Sequence, residues 1–360
     1  MKKKSVAIIG TNGLPGRYGG WDQLMNHLTE NLRNDYQFIV YTSSYNAVPG
    51  LKEVNGAQLK IIKLKANGWQ SVPYDIISLL HAAIKYDILL VLGTSGCIIL
   101  PLIRLFKKKI ILNPDGAEWK RGKWSKPVQS FLKLSERFGV KFSDTVIADN
   151  KVIQDYLFKT YSKESRVIAY GGDNAKYVPM SLETKSLYGI EEKQYAFKVC
   201  RIEPENNIDL ILNAFSTTDM TLIIIGNWNF SAYGINLRGQ YKNAKNLILL
   251  DPIYDQNQLD ELRGNCSIYV HGHSVGGTNP SLVEAMNLGL FCVVYDVDYN
   301  RETTENEALY FKTSDDLKKI VLELKQQVIS PDIYRAKMAE IAKRRYKWSI
   351  ITSEYSKTFE

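Results

Sequence analysis

Residues 271–284 read HGHSVGGTNPSLVE, and the reading of this stretch decides the fold. A short β-rich run at 266–270 precedes it and a helical pattern at 282–288 follows, so the residues between form a strand-to-helix turn. Gly276 and Gly277 make the turn flexible, Asn279 suits an N-cap, and Pro280 suits the first helical position, where a missing N–H costs nothing. Free N–H groups and the positive end of the helix dipole would then face an anion, phosphate above all, which the glycines let close to the backbone. Glu284, about one turn into the helix, is placed to reach a ribose hydroxyl beside such phosphates. The plainer alternative is an ordinary turn with a solvated Glu284.

The remainder of the chain favours the first reading. At 360 residues it is long for one domain and comfortable for two, and 45% hydrophobic with 23% charged residues is globular rather than disordered. The start, MKKKSVAIIGTNG, is basic before an apolar run of only 6–9 that ends at Gly10 without a small-residue cleavage site, which reads as a first strand and not as a signal peptide. Cys97, Cys200, Cys266 and Cys292 are far apart, three of them in apolar runs, which fits buried reduced thiols in a cytoplasmic protein. The net charge of +8 is unevenly shared: residues 1–168 hold 25 Lys and Arg against 13 Asp and Glu, and residues 169–360 hold 21 against 25. A basic half joined to a mildly acidic one suggests that the first half meets an anionic surface or ligand, membrane lipid or nucleic acid, unless it is simply a solvated basic face.

Strand-like runs at 5–10, 37–41, 59–64, 88–92, 109–112 and 145–148 alternate with helical stretches, which predicts a mostly parallel, doubly wound sheet. The loop after the first strand, TNGLPGRYGGWDQ, carries Gly10, Gly13, Gly16, Gly19 and Gly20 at the place where open α/β sheets bind ligands, but lacks the Gly-x-Gly-x-x-Gly spacing. DILLVLGTSGCIILPLIRLF, at 87–106, is too interrupted by Gly93, Gly96, Pro101 and Arg104 to span a membrane and reads as a strand followed by a helix. NPDGAEWKRGKWSK, at 113–126, leads into a helix over 127–142 with Val128, Phe131, Leu132, Leu134 and Phe138 as its apolar members. Lys107 to Lys109, Lys120, Arg121, Lys123, Lys126, Lys133, Arg137 and Lys141 crowd this region beside Trp119, Trp124 and Phe131, as a surface for anionic headgroups requires. They would also suit nucleic acid, yet no helix-turn-helix, zinc or RNP signature accompanies them. From 167 the pattern restarts with strands near 195, 221–225, 247–250, 267–270 and 291–295, and a long helical segment at 334–359 closes the chain.

The segments CRIEPENNIDLILNAF, HSVGGTNPSLVEAM, VVYDVDYNRETTEN and YKWSIITSEYSKTF resemble, in order, the two-domain glycosyltransferases of family 4. GTNGLPGRYGGWDQ and NPDGAEWKRGKW look more narrowly like the rhamnosyltransferases of bacterial capsule and exopolysaccharide assembly. The resemblance implies an α/β GT-B fold, two doubly wound Rossmann-like domains facing a cleft: residues 1–168 for the acceptor, 169–340 for the donor, and 341–360 packing back on the first domain. It implies that Gly19 and Gly20 lie beside the donor phosphates, that Arg201 pairs with the pyrophosphate, and that Glu284 holds the ribose. Gly276 stands where the family's first Glu would be, and Asn206 where a Lys usually follows Glu205. Sugar and phosphate recognition then fall to the backbone of Gly277, Thr278 and Asn279. His271 and His273, two apart at the end of a strand, face the same way, with one structural and the other, His273, facing the donor. A sugar with fewer hydroxyls, such as a 6-deoxyhexose, is compatible with the missing carboxylate.

The expected activity is retaining transfer of rhamnose from dTDP-rhamnose, with UDP- and GDP-sugars as alternative donors, to a lipid-linked saccharide at the inner face of the cell membrane. Asp115 and Glu118 are the candidate bases, or else structural caps. No cofactor, metal or nucleic acid is expected: Asp296 and Asp298 resemble a metal-gripping pair but stand late in the chain, as solvated carboxylates would. The rival readings are a nucleotide-sugar epimerase of the same fold, which needs no acceptor, and a noncatalytic sugar-nucleotide or nucleic-acid binder.

Overall fold

The computed structural model describes residues 3–16, 19–120 and 124–360, and these fall into two compact units, 1–170 with 348–360, and 171–347. In the first, strands β1 (Lys4–Ile9), β2 (Tyr36–Ser43), β3 (Glu53–Val54), β4 (Ala57–Ile62), β5 (Ile88–Leu92), β6 (Lys109–Asn113), β7 (Thr145–Ala148) and β8 (Arg166–Val167) form a sheet ordered β3-β4-β2-β1-β5-β6-β7-β8. Only β3 runs antiparallel to its neighbour. In the second, β9 (Tyr195–Val199), β10 (Thr221–Ile225), β11 (Leu247–Leu250), β12 (Ile268–His271), β13 (Cys292–Tyr295) and β14 (Leu309–Phe311) are all parallel, ordered β11-β10-β9-β12-β13-β14. Continuous apolar runs such as the fully buried Ile88–Leu92 are what a parallel strand covered on both faces needs. The second core packs Ile211, Leu212 and Phe215 of one helix against Ile224, Val270 and Val293 of the sheet.

In each sheet the chain builds outward on one side of its first strand and then returns to the other side, so order reverses between β1 and β5 and between β9 and β12. Loops at the carboxyl ends of such strand pairs diverge to opposite faces and leave a crevice, where open α/β sheets bind ligands. The stretch that opens the sequence analysis follows β12 and therefore stands at the second reversal.

Two helical expectations change. The buried face of Lys126–Phe142 is Leu132, Ser135, Glu136, Gly139 and Val140, while Val128 and Leu134 are 37% and 45% exposed. A carboxylate can face inward here because Tyr156 and Tyr161 donate hydroxyls to Glu136 Oε1 at 2.5 and 2.6 Å. The closing segment is two helices, Pro331–Arg345 and Trp348–Phe359, the first in the second unit and the second in the first. Between them Tyr346 is buried, its hydroxyl donating to the Thr303 carbonyl at 2.9 Å, and Trp348 stacks on His27 at 4.0 Å. Fixing both side chains on separate cores breaks a periodicity that otherwise runs through. The 87–106 stretch folds as β5, short 3-10 turns and the four-residue helix Leu100–Ile103, and no helix among the described residues is long and apolar enough to cross a membrane.

Asp75, on the helix Ser71–Lys85, is buried beneath the loop that follows β5 and accepts a hydrogen bond from Ser95 Oγ, while its Oδ1 finds no partner among the described residues. Burial raises its pKa to about 7 against the lowering effect of the Ser95 and Gly96 hydrogen bonds. Because the folded state holds this proton and the unfolded chain releases it near pH 4, the contribution to stability is full below about pH 4 and is lost as pH rises to about 7, on the order of 4 kcal/mol in all. Asp75→Asn keeps the acceptor and removes the ionisation. Its melting temperature should exceed the parent's at pH 8 by clearly more than at pH 5, and an equal difference at both pH values would show that Asp75 does not titrate in this window.

Candidate functional site

At the β9/β12 reversal two loops are joined by amide side chains. Asn206, buried after Arg201, donates from Nδ2 to the Arg201 carbonyl at 2.9 Å, so its Oδ1 is left to accept from His273 Nδ1 at 3.2 Å. That places a proton of His273 on Nδ1. Asn207 donates to the Gly272 carbonyl at 2.7 Å, Asn300 to the His273 carbonyl at 2.8 Å, and Ser274 N to the Glu205 carbonyl at 2.9 Å. Gly272 is required because a Cβ there would stand 2.3 Å from the Asn206 carbonyl oxygen. Arg201 is held more loosely: it is 43% exposed and reaches Glu203 and Glu205 only at 3.4 Å each. The position where sequence comparison suggests a missing Lys thus carries an amide that clamps the two loops.

His271 and His273 lie with ring centroids 6.3 Å apart, but their surroundings differ. His271 is buried, stacked on Tyr269, and its Nε2 has no partner among the described residues; burial and then Lys198 hold its pKa well below the usual value, so it is neutral. His273 is half-buried, and its Nε2 lies 3.6 Å from the point where a Gly276 Cβ would project.

The glycine turn and its helix depart in one respect from expectation. Asn279 is the N-cap of Pro280–Asn287, and its side chain accepts from Ser281 N at 3.1 Å, while its carbonyl accepts from Leu282 and Val283 N. The first N–H groups inside the helix are therefore engaged by the cap, so an incoming anion must be met by the preceding backbone of Gly276, Gly277, Thr278 and Asn279 together with the helix dipole. Gly276 has φ +103°, a conformation costly for other residues, and Gly276, Gly277 and Thr278 are buried.

Glu284 is only 5% exposed and is anchored from below, a feature that spacing alone does not reveal. Its Oε2 pairs with Arg263 Nη1 and its Oε1 accepts from Asn174 Nδ2 at 2.8 Å. Arg263 has no exposed surface and also pairs with Asp260 Oδ1 at 2.5 Å, whose other oxygen accepts from Lys176 N at 3.1 Å. Burial opposes the guanidinium charge, but Glu284 and Asp260 outweigh it and keep Arg263 above its usual pKa.

The remaining predicted residues are in the first unit. Gly19 has φ +109° and caps Gly20–Asn31 through its carbonyl to Gln23 N at 3.2 Å. Asp115, φ +64°, donates its N–H to Asn113 Oδ1 at 3.1 Å, and Glu118 Oε1 accepts from Trp124 Nε1 at 3.1 Å. Trp119 donates to the Tyr156 hydroxyl at 3.1 Å, with Lys120 and Lys133 over its ring at 5.4 and 4.7 Å; Arg121 and Lys123 lie outside the described residues. At the carboxyl ends of β1 and β2 a hollow of about 420 Å³ is lined by polar Asn12, Asp22 and Asn46 and by Tyr45. In the second unit Asp296 accepts from Arg301 Nε at 2.6 Å, and among the described residues no group of three or more His, Cys, Asp or Glu is arranged to hold a metal.

Comparison with known proteins follows this division. Residues 183–345 match the family profile described as glycosyl transferases group 1. That stretch is similar to the group 1 glycosyl transferases. Residues 3–173 match a family described only as a domain of unknown function, DUF1972. Among solved structures, a sucrose-phosphate synthase from Thermosynechococcus elongatus superposes with TM-score 0.82 at 14% identity, covering 99% of this chain and 98% of the other. HepE of Anabaena, solved in complex with UDP-glucose, gives 0.79 at 13% identity over 99% of both chains. A glycosyltransferase from Rickettsia africae gives 0.75 at 12% over 99% and 98%. At such identities the likeness is one of fold: two parallel-sheet α/β domains of the GT-B kind. No curated protein sequence matches the chain.

The network beneath the glycine turn has a measurable weight. Arg263→Met leaves Glu284 and Asp260 buried without a cation, a loss of about 3–5 kcal/mol, or roughly 10 °C in melting for a unit of this size. Glu284→Gln should cost less, since Asp260 still faces Arg263. Calorimetric melting of both variants checks the order, and an Arg263→Met protein melting like the parent would mean that the network does not form.

Proposed function

We propose that this protein is a retaining glycosyltransferase that moves a 6-deoxyhexose, rhamnose from dTDP-rhamnose, onto a lipid-linked saccharide at the inner face of the cell membrane, in cell-surface polysaccharide synthesis. The observation that carries the reading is the β9/β12 reversal, where Asn206 ties the loop of Arg201 to His273 and the Gly276–Asn279 turn opens the helix of Glu284, in a stretch that matches the group 1 glycosyl transferase profile. In this reading Arg201, half-exposed and only loosely paired, turns onto the donor diphosphate at little cost. It shares the leaving charge with the backbone before the helix, which needs no reorganisation as that charge develops. Glu284, its carboxylate fixed by Arg263 and Asn174, offers its remaining lone pairs to the ribose. Gly276, where related sequences suggest a carboxylate, leaves the sugar end with fewer polar partners, which suits a deoxygenated hexose. That HepE, of the same fold, was solved with UDP-glucose supports a nucleotide-sugar donor in general and keeps UDP-sugars, with GDP-sugars, as alternatives. The acceptor saccharide is assigned to the first unit, where the hollow beside Tyr45 supplies amide, carboxylate and aromatic surface, and Asp115 or Glu118 is the proposed base.

Product analysis with labelled dTDP-rhamnose, and with UDP- and GDP-sugars in parallel, tests the reading. Labelled product should form only when a lipid-linked saccharide is supplied. Conversion of the donor without acceptor would point to an epimerase, and binding without turnover to a noncatalytic binder. Arg201→Ala should weaken both free dTDP and the intact donor at least tenfold, the loss of a charge-assisted contact of about 1.5–3 kcal/mol. Calorimetric titration giving unchanged dissociation constants for the folded variant would remove Arg201 from the pyrophosphate site.

A further inference from the structure

The helix Ser71–Lys85 is apolar on the side that faces water. Its inner face, with Tyr74, Ser78, Leu79, Ala82 and Ala83, is buried as expected for a helix against a sheet. Its outer face carries Ile77, Leu80 and Ile84, exposed by 46, 37 and 66%, at the three- and four-residue spacing that makes one stripe. The turn just before it presents Trp69, 79% exposed. The short helix Leu100–Ile103 packs beside this helix, and it and the turn Arg104–Phe106 that follows add exposed Leu102 and Leu105 at 57 and 76%. A helix apolar all round is otherwise found in a core or against lipid.

The charged side chains that border this face are mostly basic. Residues 54–114 hold two acidic side chains, Asp75 and Asp87: Asp75 is buried, and Asp87 accepts from Ser5. Lys85 directly follows Ile84, and Lys107 and Lys108 directly follow Phe106; Arg104 is engaged with Asp144. We propose that the stripe formed by Ile77, Leu80, Ile84, Leu102 and Leu105, with Trp69 at its end, seats in the headgroup boundary of an anionic bilayer while these lysines meet lipid phosphates. Long lysine side chains bordering an apolar stripe reach up to headgroups, and an exposed Trp is at home in that layer. This locates the bilayer contact away from the basic segment around Trp119 and Trp124. There the rings are already engaged, Trp119 under Lys120 and Lys133 and Trp124 by Glu118, so that segment adds attraction but no insertion. The inference deepens the membrane-face part of the function proposed above, yet adsorption needs no sugar nucleotide, so the two fail separately.

Sedimentation of the full chain with phosphatidylglycerol–phosphatidylcholine vesicles, and with phosphatidylcholine alone, tests it at low and high salt. The parent should pellet with anionic vesicles at low salt and be released as salt screens the lysines. The double substitution Ile84→Ser with Leu105→Ser should cut the bound fraction at least tenfold with an unchanged melting temperature, whereas Leu182→Ser, 84% exposed in the other unit, should leave binding intact. Brominated lipid should quench the parent's tryptophan emission and quench Trp69→Phe much less. Pelleting of the double variant like the parent, equal binding to neutral vesicles, or quenching that is unaffected by Trp69→Phe would overturn the assignment. So would concentration-dependent dimerisation without lipid that the same double substitution abolishes, since the face would then belong to a second copy of the chain.

Discussion

A guanidinium without exposed surface must be matched where it lies, and Arg263 imposes that condition on the second unit. Taking an ion out of water costs several kcal/mol, so the two carboxylates beside it cannot drift without large loss. One carboxylate, Asp260, is a turn away on the same helix and also receives Lys176 N; the other, Glu284, lies on the helix that follows the glycine turn and is held by Asn174 as well. The pair therefore ties the start of the unit, the helix before β12 and the helix after it to one point. The turn is suspended between fixed ends, and its helix cannot rotate without pulling Glu284 from Arg263.

Above that anchor the site divides into a stiff and a soft part. Asn206 and Asn207 join the loop after β9 to the loop after β12, and Asn300 joins that loop to the helix after β13, through amide groups that neither ionise nor need long side chains. Arg201 springs from this stiff frame with contacts of 3.4 Å, and exposed pairs of that kind contribute little. In the function proposed above, a diphosphate would take the arginine without disturbing the frame. An Asn in place of a Lys gives up one charge toward a ligand and gains a fixed proton position on His273, a different balance of electrostatics and geometry at the same place.

The sequence made legible what rests on local pattern. Apolar runs of five or six residues separated by helical stretches announce buried parallel strands, and Asn279-Pro280 after two glycines announces a helix start, because each depends on residues within a few positions. Arg263 did not announce itself: it stands 21 residues before Glu284 in an unremarkable polar stretch, and only the sheet order brings them together. Asn206 was legible as a departure but not as a clamp, since its partner His273 comes from the neighbouring strand's loop. The inward Glu136 was hidden by the assumption that the apolar members of a helix mark its buried face, which Tyr156 and Tyr161 overturn. The break at Tyr346 was hidden for the same kind of reason, because periodicity continues while the cores that hold the side chains change.

The helix Ser71–Lys85 shows how far pattern can mislead about exposure. The structure buries Asp75 and exposes Ile77, Leu80 and Ile84, the reverse of what hydrophobicity alone assigns. Both reversals follow from position. Asp75 faces the loop after β5, where Ser95 Oγ and the Gly96 backbone give a buried carboxyl something to hold, so a polar side chain belongs inside. With its carboxyl turned inward, the helix keeps Lys85 at the end of its outer surface, and an apolar stripe edged by lysines is stable in a layer that is itself apolar on one side and charged on the other. A helix of this kind is amphipathic only with respect to its surroundings, and the sequence by itself does not state what those surroundings are.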